Sequence, residues 1–524
     1  MKGTRPLSTV LGLLRFRAGL ERYLRHEVST AEARAVVQER LRTREERFLR
    51  MLQHAVFGHR RSPYLALCRA AGCELGDVAA LVRREGVEGA LQSLLRAGIH
   101  VTLDELKGRQ PAVRGGRTFR FRPEDFDNPL VRIHYATPSG GSWGRPSRIL
   151  IDLDYLAARA PVWRLWFAAH DLDAARLVLL RPVYPGLVNL QLVCAKAGQR
   201  FVRWFATGSG GSLAYRLVTA YVHALARTAA GFPRPEFVTA AGFSRIGEAL
   251  TGLIEAGERP CVIASPTDAI RVCQAVRERG GSLGGLTFLL GYEPLDATRR
   301  SMIEATGASV AVTYGFSEGG TLGQQCRWPA EPDEVHVADD AFAVLLQRDE
   351  RDQNEAEGAL IVTALSATSP KVLLNAAIGD RGVLETRRCE CVFGELGYHR
   401  RLHTIRSAEK LTGAGVTFLV ADVAAVLETV LPRAFGGTFA DYQLIEMQDG
   451  QGLPRYQLRV SPAVGVVHEV AVVTTFLRAL GSLRKPYGFM ANQWAEAGLV
   501  EVVRRAPVPT GRGKLLPVRT AVTE

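Results

Sequence analysis

Several short segments of this 524-residue chain carry residues whose types and spacing suit the handling of a phosphorylated ligand. Ser139-Gly140-Gly141-Ser142-Trp143-Gly144-Arg145-Pro146 lies between two predicted strands, 131–135 and 147–152. A Gly- and Ser-rich loop there offers backbone N–H groups and hydroxyls that grip phosphate oxygens. Glycine also lets the backbone approach with no Cβ in the way. The plain alternative is a turn. Gly291-Tyr292-Glu293-Pro294 and Tyr314-Gly315-Phe316-Ser317-Glu318-Gly319-Gly320 each end a predicted strand. That puts both at the carboxyl edge of a parallel sheet, where α/β enzymes bind ligands. A tyrosine beside Ser317 and Glu318 suits a purine next to a metal-bound phosphate. Ile378-Gly379-Asp380-Arg381-Gly382 places a carboxylate in a predicted tight turn, able to accept hydrogen bonds from vicinal hydroxyls. An Asp in such a turn also caps its own backbone. Near the C-terminus, Lys514 stands in the Gly-flanked run 507–514, where an ammonium could meet developing negative charge. Taken singly, each segment has an ordinary structural reading.

A second constellation is metal-like. Cys326 and His336 follow the Tyr-Gly segment, and Cys389-Glu390-Cys391 follows the Gly-Asp segment. Three thiolates and one imidazole satisfy tetrahedral zinc, and four protein ligands close the site, which makes its role structural. The competing reading is reduced, buried cysteines.

The elements that must hold these residues follow from periodicity. Residues 20–106 read as helical, with apolar residues at three- and four-residue spacing. From Ile149 onward, short apolar runs (177–180, 261–263, 287–290, 310–312) alternate with helical stretches such as 267–279. That alternation predicts layered α/β with largely parallel sheets. An acidic stretch, 348–358, reads as a hairpin loop, and shorter strands with a few helices such as 423–431 fill the C-terminal part.

Composition narrows the class. At 47% hydrophobic and 23% charged the chain reads as globular, and no apolar run reaches the ~18–20 residues of a membrane span. No signal peptide is read at the basic N-terminus, so membrane insertion is not expected and a cytoplasmic location is. The net charge of +13 is spread along the chain. It is read as solvated surface, attractive to anionic substrates, rather than as a nucleic-acid face.

In order and spacing, these segments resemble the core motifs of the acyl-adenylate-forming superfamily, in particular its phenylacetate–CoA ligase and coenzyme F390 synthetase-like branch. The likeness runs from about Pro63 to the end. It implies a large layered α/β adenylation domain over 63–405 and a small, mobile α+β lid over 406–524. A helical extension, 1–62, precedes them. It further implies ATP, Mg²⁺ and a carboxylic acid, aryl or of medium length, as ligands, with CoA as the acceptor. Ser139, Gly140, Gly141, Ser142 and Gly144 would bind the leaving phosphates. Glu293, Pro294, Tyr314, Gly315 and Ser317 would border the adenine, and Glu318 would reach Mg²⁺. Asp380 and Arg406 would hold the ribose, Glu409 would sit in the hinge, and Lys514 would bridge the acid and the α-phosphate. The acyl pocket would be walled by 237–244, 264–266 and 315–319. Cys326, His336, Cys389 and Cys391 match a Cys/His set of the branch and imply structural Zn²⁺. A homodimer is left open. Gly140 and Trp143 stand where the family carries hydroxyl residues, Glu409 where it carries Asp, and Ala414 where it carries Arg. An amide- or ester-forming synthetase, an adenylyltransferase and a non-catalytic nucleotide-binding relative are the alternatives.

Overall fold

The computed structural model describes residues 6–138, 148–183, 188–207, 213–238, 242–348, 356–407, 410–413, 416–450, 453–483, 487–508 and 517–520. Its largest element is a sheet of twelve strands. In chain order these are β1 (Arg176–Leu180), β2 (Phe201–Thr207), β3 (Pro235–Val238), β4 (Pro260–Ala264), β5 (Thr287–Leu290) and β6 (Ser309–Phe316), then β7 (Gly320–Gln324), β8 (Val335–Val337), β9 (Phe342–Gln347), β10 (Glu357–Ala364), β11 (Ala376–Thr386) and β12 (Arg400–Ser407). Across the sheet they lie in the order β9-β10-β11-β12-β8-β7-β6-β5-β4-β1-β2-β3.

Strands β1 to β6 pair in parallel. Their apolar residues run without alternation, as in β4, where all five residues are buried. A strand covered on both faces needs that pattern. A helix follows each of β1 to β5 and returns the chain for parallel pairing. The helix Pro266–Arg277 shows the local logic. Ser265 caps it by accepting from the Asp268 N–H, and Pro266 occupies the first turn, where its missing N–H costs nothing. The resulting order 3-2-1-4-5-6 opens a crevice between the carboxyl ends of β1 and β4, where the winding reverses.

The other half of the sheet departs from the parallel expectation. From β6 through β12 to β9 every pairing is antiparallel. Only residues 317–319 separate β6 from β7, too few for a crossover. The predicted hairpin loop, 348–358, does join an antiparallel pair, β9 and β10, with Gln347 opposite Ala359.

The N-terminal helices α1 (Pro6–Arg25), α2 (Thr30–Arg42) and α3 (Arg44–Met51) are part of the main core. Phe16, Leu20, Val37, Phe48 and Met51 are buried in the same cluster as β1, β4 and β5. At Gly12 of α1 a Cβ would come 2.5 Å from the His134 carbonyl oxygen, so only glycine permits the contact. Among the described residues no helix is long and apolar enough to cross a membrane.

Residues beyond Lys410 build a second buried cluster. Its sheet contains β13 (Tyr442–Gln448), β14 (Pro454–Val460), β15 (Val500–Val503) and β16 (Val518–Thr520), ordered β15-β14-β13-β16. Trp494 is its keystone: the indole stacks on Tyr456 at 4.1 Å and meets Phe418 edge-on at 4.7 Å. Trp494→Ala is expected to cost about 3–5 kcal/mol. Because the two clusters share no buried residue, calorimetry should show one melting transition falling while the other stays. An equal shift of a single transition would refute their independence.

Candidate functional site

Strand β6 changes partner along its length. Ser309 to Val312 pair with β5, Thr313 to Phe316 pair with β7, and the register shifts at Tyr314/Gly315. A Cβ on Gly315 would lie 2.3 Å from the Gly320 carbonyl oxygen, so a side chain there would block the hairpin. The bulge aims Tyr314, whose hydroxyl donates to Asp380 Oδ2 at 2.7 Å. Burial first, and then the Asp380 charge, hold the phenol well above its ordinary range, so it stays a neutral donor. Asp380 lies inside β11 rather than in the predicted turn. Gly379, at φ +83°, bends the strand without ending it. Asp380 pairs with Ser407 and Arg381 with Arg406 on β12, so Arg406 is next to Asp380 in the ladder but, one residue out of step, projects to the other face. Ser317 and Arg406 are exposed.

At the end of β5, Glu293 Oε2 accepts from the Thr267 N–H at 3.2 Å and from its hydroxyl at 2.6 Å. The carboxylate thus sits at the N-terminus of helix Pro266–Arg277, where the dipole favours negative charge. The Pro294 carbonyl accepts from Arg299 Nη1 at 2.9 Å. Tyr292 is exposed with φ +75°, and its ring centroid lies 3.1 Å from the Arg181 guanidinium carbon. Arg181, just past β1, faces the crevice between β1 and β4. Burial lowers its guanidinium to about 10. Burial, followed by the Glu293 charge, lifts nearby Asp268 to about 6. A lone arginine before Pro182 carries no sequence pattern, so only the fold reveals it.

Lys107 was equally invisible in the sequence. It follows the short helix Leu103–Leu106, fixed by a reciprocal Thr102–Glu105 capping box, and its ammonium donates to Glu318 Oε1. Both side chains are largely buried, at 10% and 12% exposure. Burial alone would push the Glu318 carboxyl up; the Lys107 charge and hydrogen bond outweigh it and hold the carboxyl below its ordinary value. The ammonium holds one oxygen of the carboxylate expected to reach Mg²⁺, so a directly bound cation would use the other oxygen or displace Lys107. A carboxyl depressed in the folded state adds stability above its ordinary value of about 4.3, and that stability is lost as pH falls through the native value. In Lys107→Met burial, the largest cause, is opposed only by a backbone hydrogen bond and the Lys371 charge, and the sign reverses: the native state is penalised at neutral pH and relieved by acid. Urea unfolding at pH 7 and pH 5 should show the variant gaining stability relative to wild type on acidification. Parallel profiles would rule the pairing out.

The Cys/His set comes together. Cys326 follows β7, His336 lies in β8, and Cys389 and Cys391 lie between β11 and β12. Their ligand atoms all fall within 4.8 Å of one another. Cys326 Sγ is 3.9 Å from Cys389 Sγ, and Cys391 Sγ is 3.1 Å from His336 Nε2. Tetrahedral zinc with bonds of ~2.3 Å separates its sulfurs by about 3.8 Å, so the spacing fits. His336 Nδ1 bonds the Tyr398 carbonyl oxygen at 2.8 Å, which leaves Nε2 to the cluster. A Cβ on Gly394 would lie 1.9 Å from the Cys389 carbonyl oxygen, so glycine is required for the tight Cys389–Cys391 turn. The hydrogen bond from Cys391, stronger here than burial, holds the Cys326 thiol well below its ordinary range.

Ser139, Gly140, Gly141, Ser142, Gly144, Glu409 and Lys514 lie outside the described residues. The strands that flank the Gly/Ser segment pair antiparallel, with Pro138 opposite Arg148. The first of them runs Tyr135–Pro138 rather than 131–135. Side chains take the earlier hydrogen bonds: Asp152 Oδ2 accepts from the Arg132 N–H at 2.8 Å, and Asn128 Oδ1 accepts from Leu130 N–H at 3.0 Å. Of the expected acyl walls, residues 264–266 are buried, Phe237 is exposed, and 239–241 lie outside the described residues.

No protein-family model and no curated protein matches the chain. Solved structures do. A 2-hydroxyisobutyryl-CoA ligase, in complex with 2-HIB-AMP and CoA in its thioesterification state, aligns with 92% of this chain and 90% of its own. The TM-score is 0.56 at 16% identity. The same ligase in its postadenylation state with 2-HIB-AMP gives 0.47 at 15% identity, covering 95% and 91%. An anthranilate CoA ligase in complex with anthranoyl-AMP gives 0.35 at 14% identity, covering 82% and 74%. The first likeness shows the fold: this chain has the α/β architecture of an adenylate-forming CoA ligase over most of its length.

Proposed function

We propose that the chain adenylates a carboxylic acid with ATP and then passes the acyl group to a thiol, CoA being the simplest. The observation that carries this reading is the Tyr314–Asp380 hydrogen bond, with Arg406 one register step away. Two motifs of the resemblance, 66 residues apart, thereby meet. In the first half-reaction a carboxylate oxygen attacks the α-phosphorus and the bond to the β-phosphate breaks, releasing pyrophosphate. In the second, a thiolate sulfur attacks the acyl carbon, AMP leaves with the bonding electrons, and the thiol proton passes to solvent.

Tyr314, Gly315 and Ser317, with Glu293 and Pro294, would border the adenine. Asp380 would accept from the ribose hydroxyls, and Arg406 would reach the ribose–phosphate region. Ser139, Gly140, Gly141, Ser142 and Gly144 would hold the leaving phosphates. Lys514 would neutralise charge between acid and α-phosphate, where a fixed donor lowers the barrier most. Lys107 holds one oxygen of Glu318, and Mg²⁺ bound with the nucleotide would take the other or displace it. The lid expected over 406–524 moves from its hinge near Glu409 onward, since Arg406 and Ser407 belong to β12, and a closing lid completes the site and excludes water. Cys326, His336, Cys389 and Cys391 hold structural zinc.

ATP–pyrophosphate exchange over a panel of aryl, fatty and amino acids tests the reading. Exchange is expected with one acid class and should fall about 10²–10³-fold in Lys514→Ala. Asp380→Ala should raise the KM for ATP. Measurable ATP binding with no exchange from any acid would eliminate adenylation. Elemental analysis of the purified protein should find one zinc per chain, lost in the Cys389→Ser/Cys391→Ser double variant. A metal-free wild type would reject the zinc assignment.

A further inference from the structure

Behind the Glu318 turn lies a cavity of about 50 Å³ whose walls include Gly319 and Thr321. One buried water needs about 10–15 Å³, so the space admits a group the size of a carboxylate. Its wall is mainly apolar, with three arginines among its residues. Arg40 and Arg47 come from the N-terminal helices and Arg159 from helix Leu153–Ala169. Among the described residues the only acidic group in the lining is Asp340. It is fully buried, accepts from Arg40 Nη1 at 3.3 Å, and gives its other oxygen to the Tyr398 hydroxyl at 2.6 Å. Arg47 spends its Nη1 on the carbonyl oxygens of Arg40 and Asp340.

Arg159 has no such compensation. It is half-buried; its Nη2 donates to the Thr321 hydroxyl at 2.8 Å, and its guanidinium also hydrogen-bonds the Tyr155 side chain, with its carbon 5.5 Å from that ring's centroid. Among the described residues no carboxylate pairs with it, and its buried Nε has no hydrogen-bond partner. Two more buried polar atoms of the lining are likewise without partners, Trp163 Nε1 and Ser369 Oγ. Buried charges and donors are costly when uncompensated. Three guanidiniums sharing one carboxylate, beside an indole N–H and a hydroxyl, describe a place whose missing component is an anion.

Thr321 lies three residues past Glu318, and Gly319 belongs to the segment expected to wall the acyl pocket. A Cβ on Gly320 would lie 2.2 Å from the Tyr155 hydroxyl, so the turn packs directly on the helix that carries Arg159. We infer that this cavity receives a second anionic group at the far end of the acid, so that the substrate is a dicarboxylic acid or similar dianion. The inference rests on the adenylation reading, whose acid it specifies.

Matched acids test it on the full-length chain. Calorimetric titration without nucleotide, using hexanoate against adipate and phenylacetate against phenylenediacetate, should show at least tenfold tighter binding of each dicarboxylate. Arg159→Gln should bring the dicarboxylate down to the affinity of its partner, while Arg159→Lys should retain part of the preference. Trp163→Phe, which removes only the indole donor from a buried position, should weaken dicarboxylate binding several-fold and guards against misfolding of the arginine variants. In pyrophosphate exchange, Arg159→Gln should raise KM for the dicarboxylate with little change in kcat. Equal affinity within each pair, a preference that survives Arg159→Gln, or equally tight binding of inorganic phosphate alone would overturn the proposal. Exchange with monocarboxylates and no preference would sink it while leaving adenylation standing. A preference without exchange would keep the anion site and sink adenylation.

Discussion

Strand β6 has a parallel neighbour along its first half and an antiparallel one along its second, and the placement of the candidate site depends on that change. A parallel strand must end where its crossover begins, leaving its carboxyl end open as a ligand edge. A hairpin strand instead turns straight back. By doing both, β6 carries the order β3-β2-β1-β4-β5 into an antiparallel run without a break in the sheet. Tyr314 sits at the register shift and Glu318 in the turn that follows. The hairpin then leads, through β7 and β8, to β12 and β11, which return Asp380 to the Tyr314 hydroxyl. Gly315 is the weak point of this design, since its missing side chain is what allows β7 to close on β6.

Charge is handled differently on the two sides of that strand. In the structural part, buried ions are matched. Arg401 and Glu334, each 1% exposed, pair with one another, and Arg387 supplies a further bond to Glu334 at 2.5 Å. The charges balance there, although the Nε atoms of Arg387 and Arg401 have no hydrogen-bond partner. Around the Ser317–Thr321 turn the matching is incomplete. Lys107 satisfies Glu318, but Arg159 on the neighbouring helix has hydroxyl and ring contacts alone. An excess of buried cation costs stability in the free protein. An anion at the proposed subsite would restore the balance.

The legible parts of the sequence were those with local signatures. Apolar runs at 177–180, 261–263 and 287–290 became buried strands, and Ser265-Pro266 opened a helix as its capping chemistry requires. The strand-end motifs and the four zinc-type ligands were legible as types, and the fold brings each set together. Three things were not. The parallel expectation failed beyond Phe316, because a short apolar run looks alike in either pairing and only connection length decides. Asp380 was read as a turn residue, since Gly-Asp flanked by a second Gly has turn chemistry; yet Gly379 absorbs the positive φ and the ladder continues on both sides. Lys107, Arg159 and Arg181 were missed because each is a lone cation whose significance lies in a partner, or the lack of one, set by chain segments far away.

Anchoring around β12 links the metal-type cluster to the edge that carries Arg406. The turn holding Cys389 and Cys391 feeds the start of β12, and His336 pairs with Arg401 across the β8–β12 ladder. Farther along, Asp333 takes hydrogen bonds from the Thr404 and Ile405 N–H groups at 2.9 and 2.7 Å, holding Thr404 at φ +53°. A threonine in that region is strained and persists only where its surroundings over-determine it. The fixation reaches Ile405, which is buried, and stops; Arg406 next to it is exposed. Beyond lies the chain that enters the second core. Any rotation of that core against the sheet therefore has its pivot after Ile405, and Arg406 stands on the fixed side of it, still in register with Arg381. A guanidinium so placed would keep its position at the strand edge whichever way the smaller core faced.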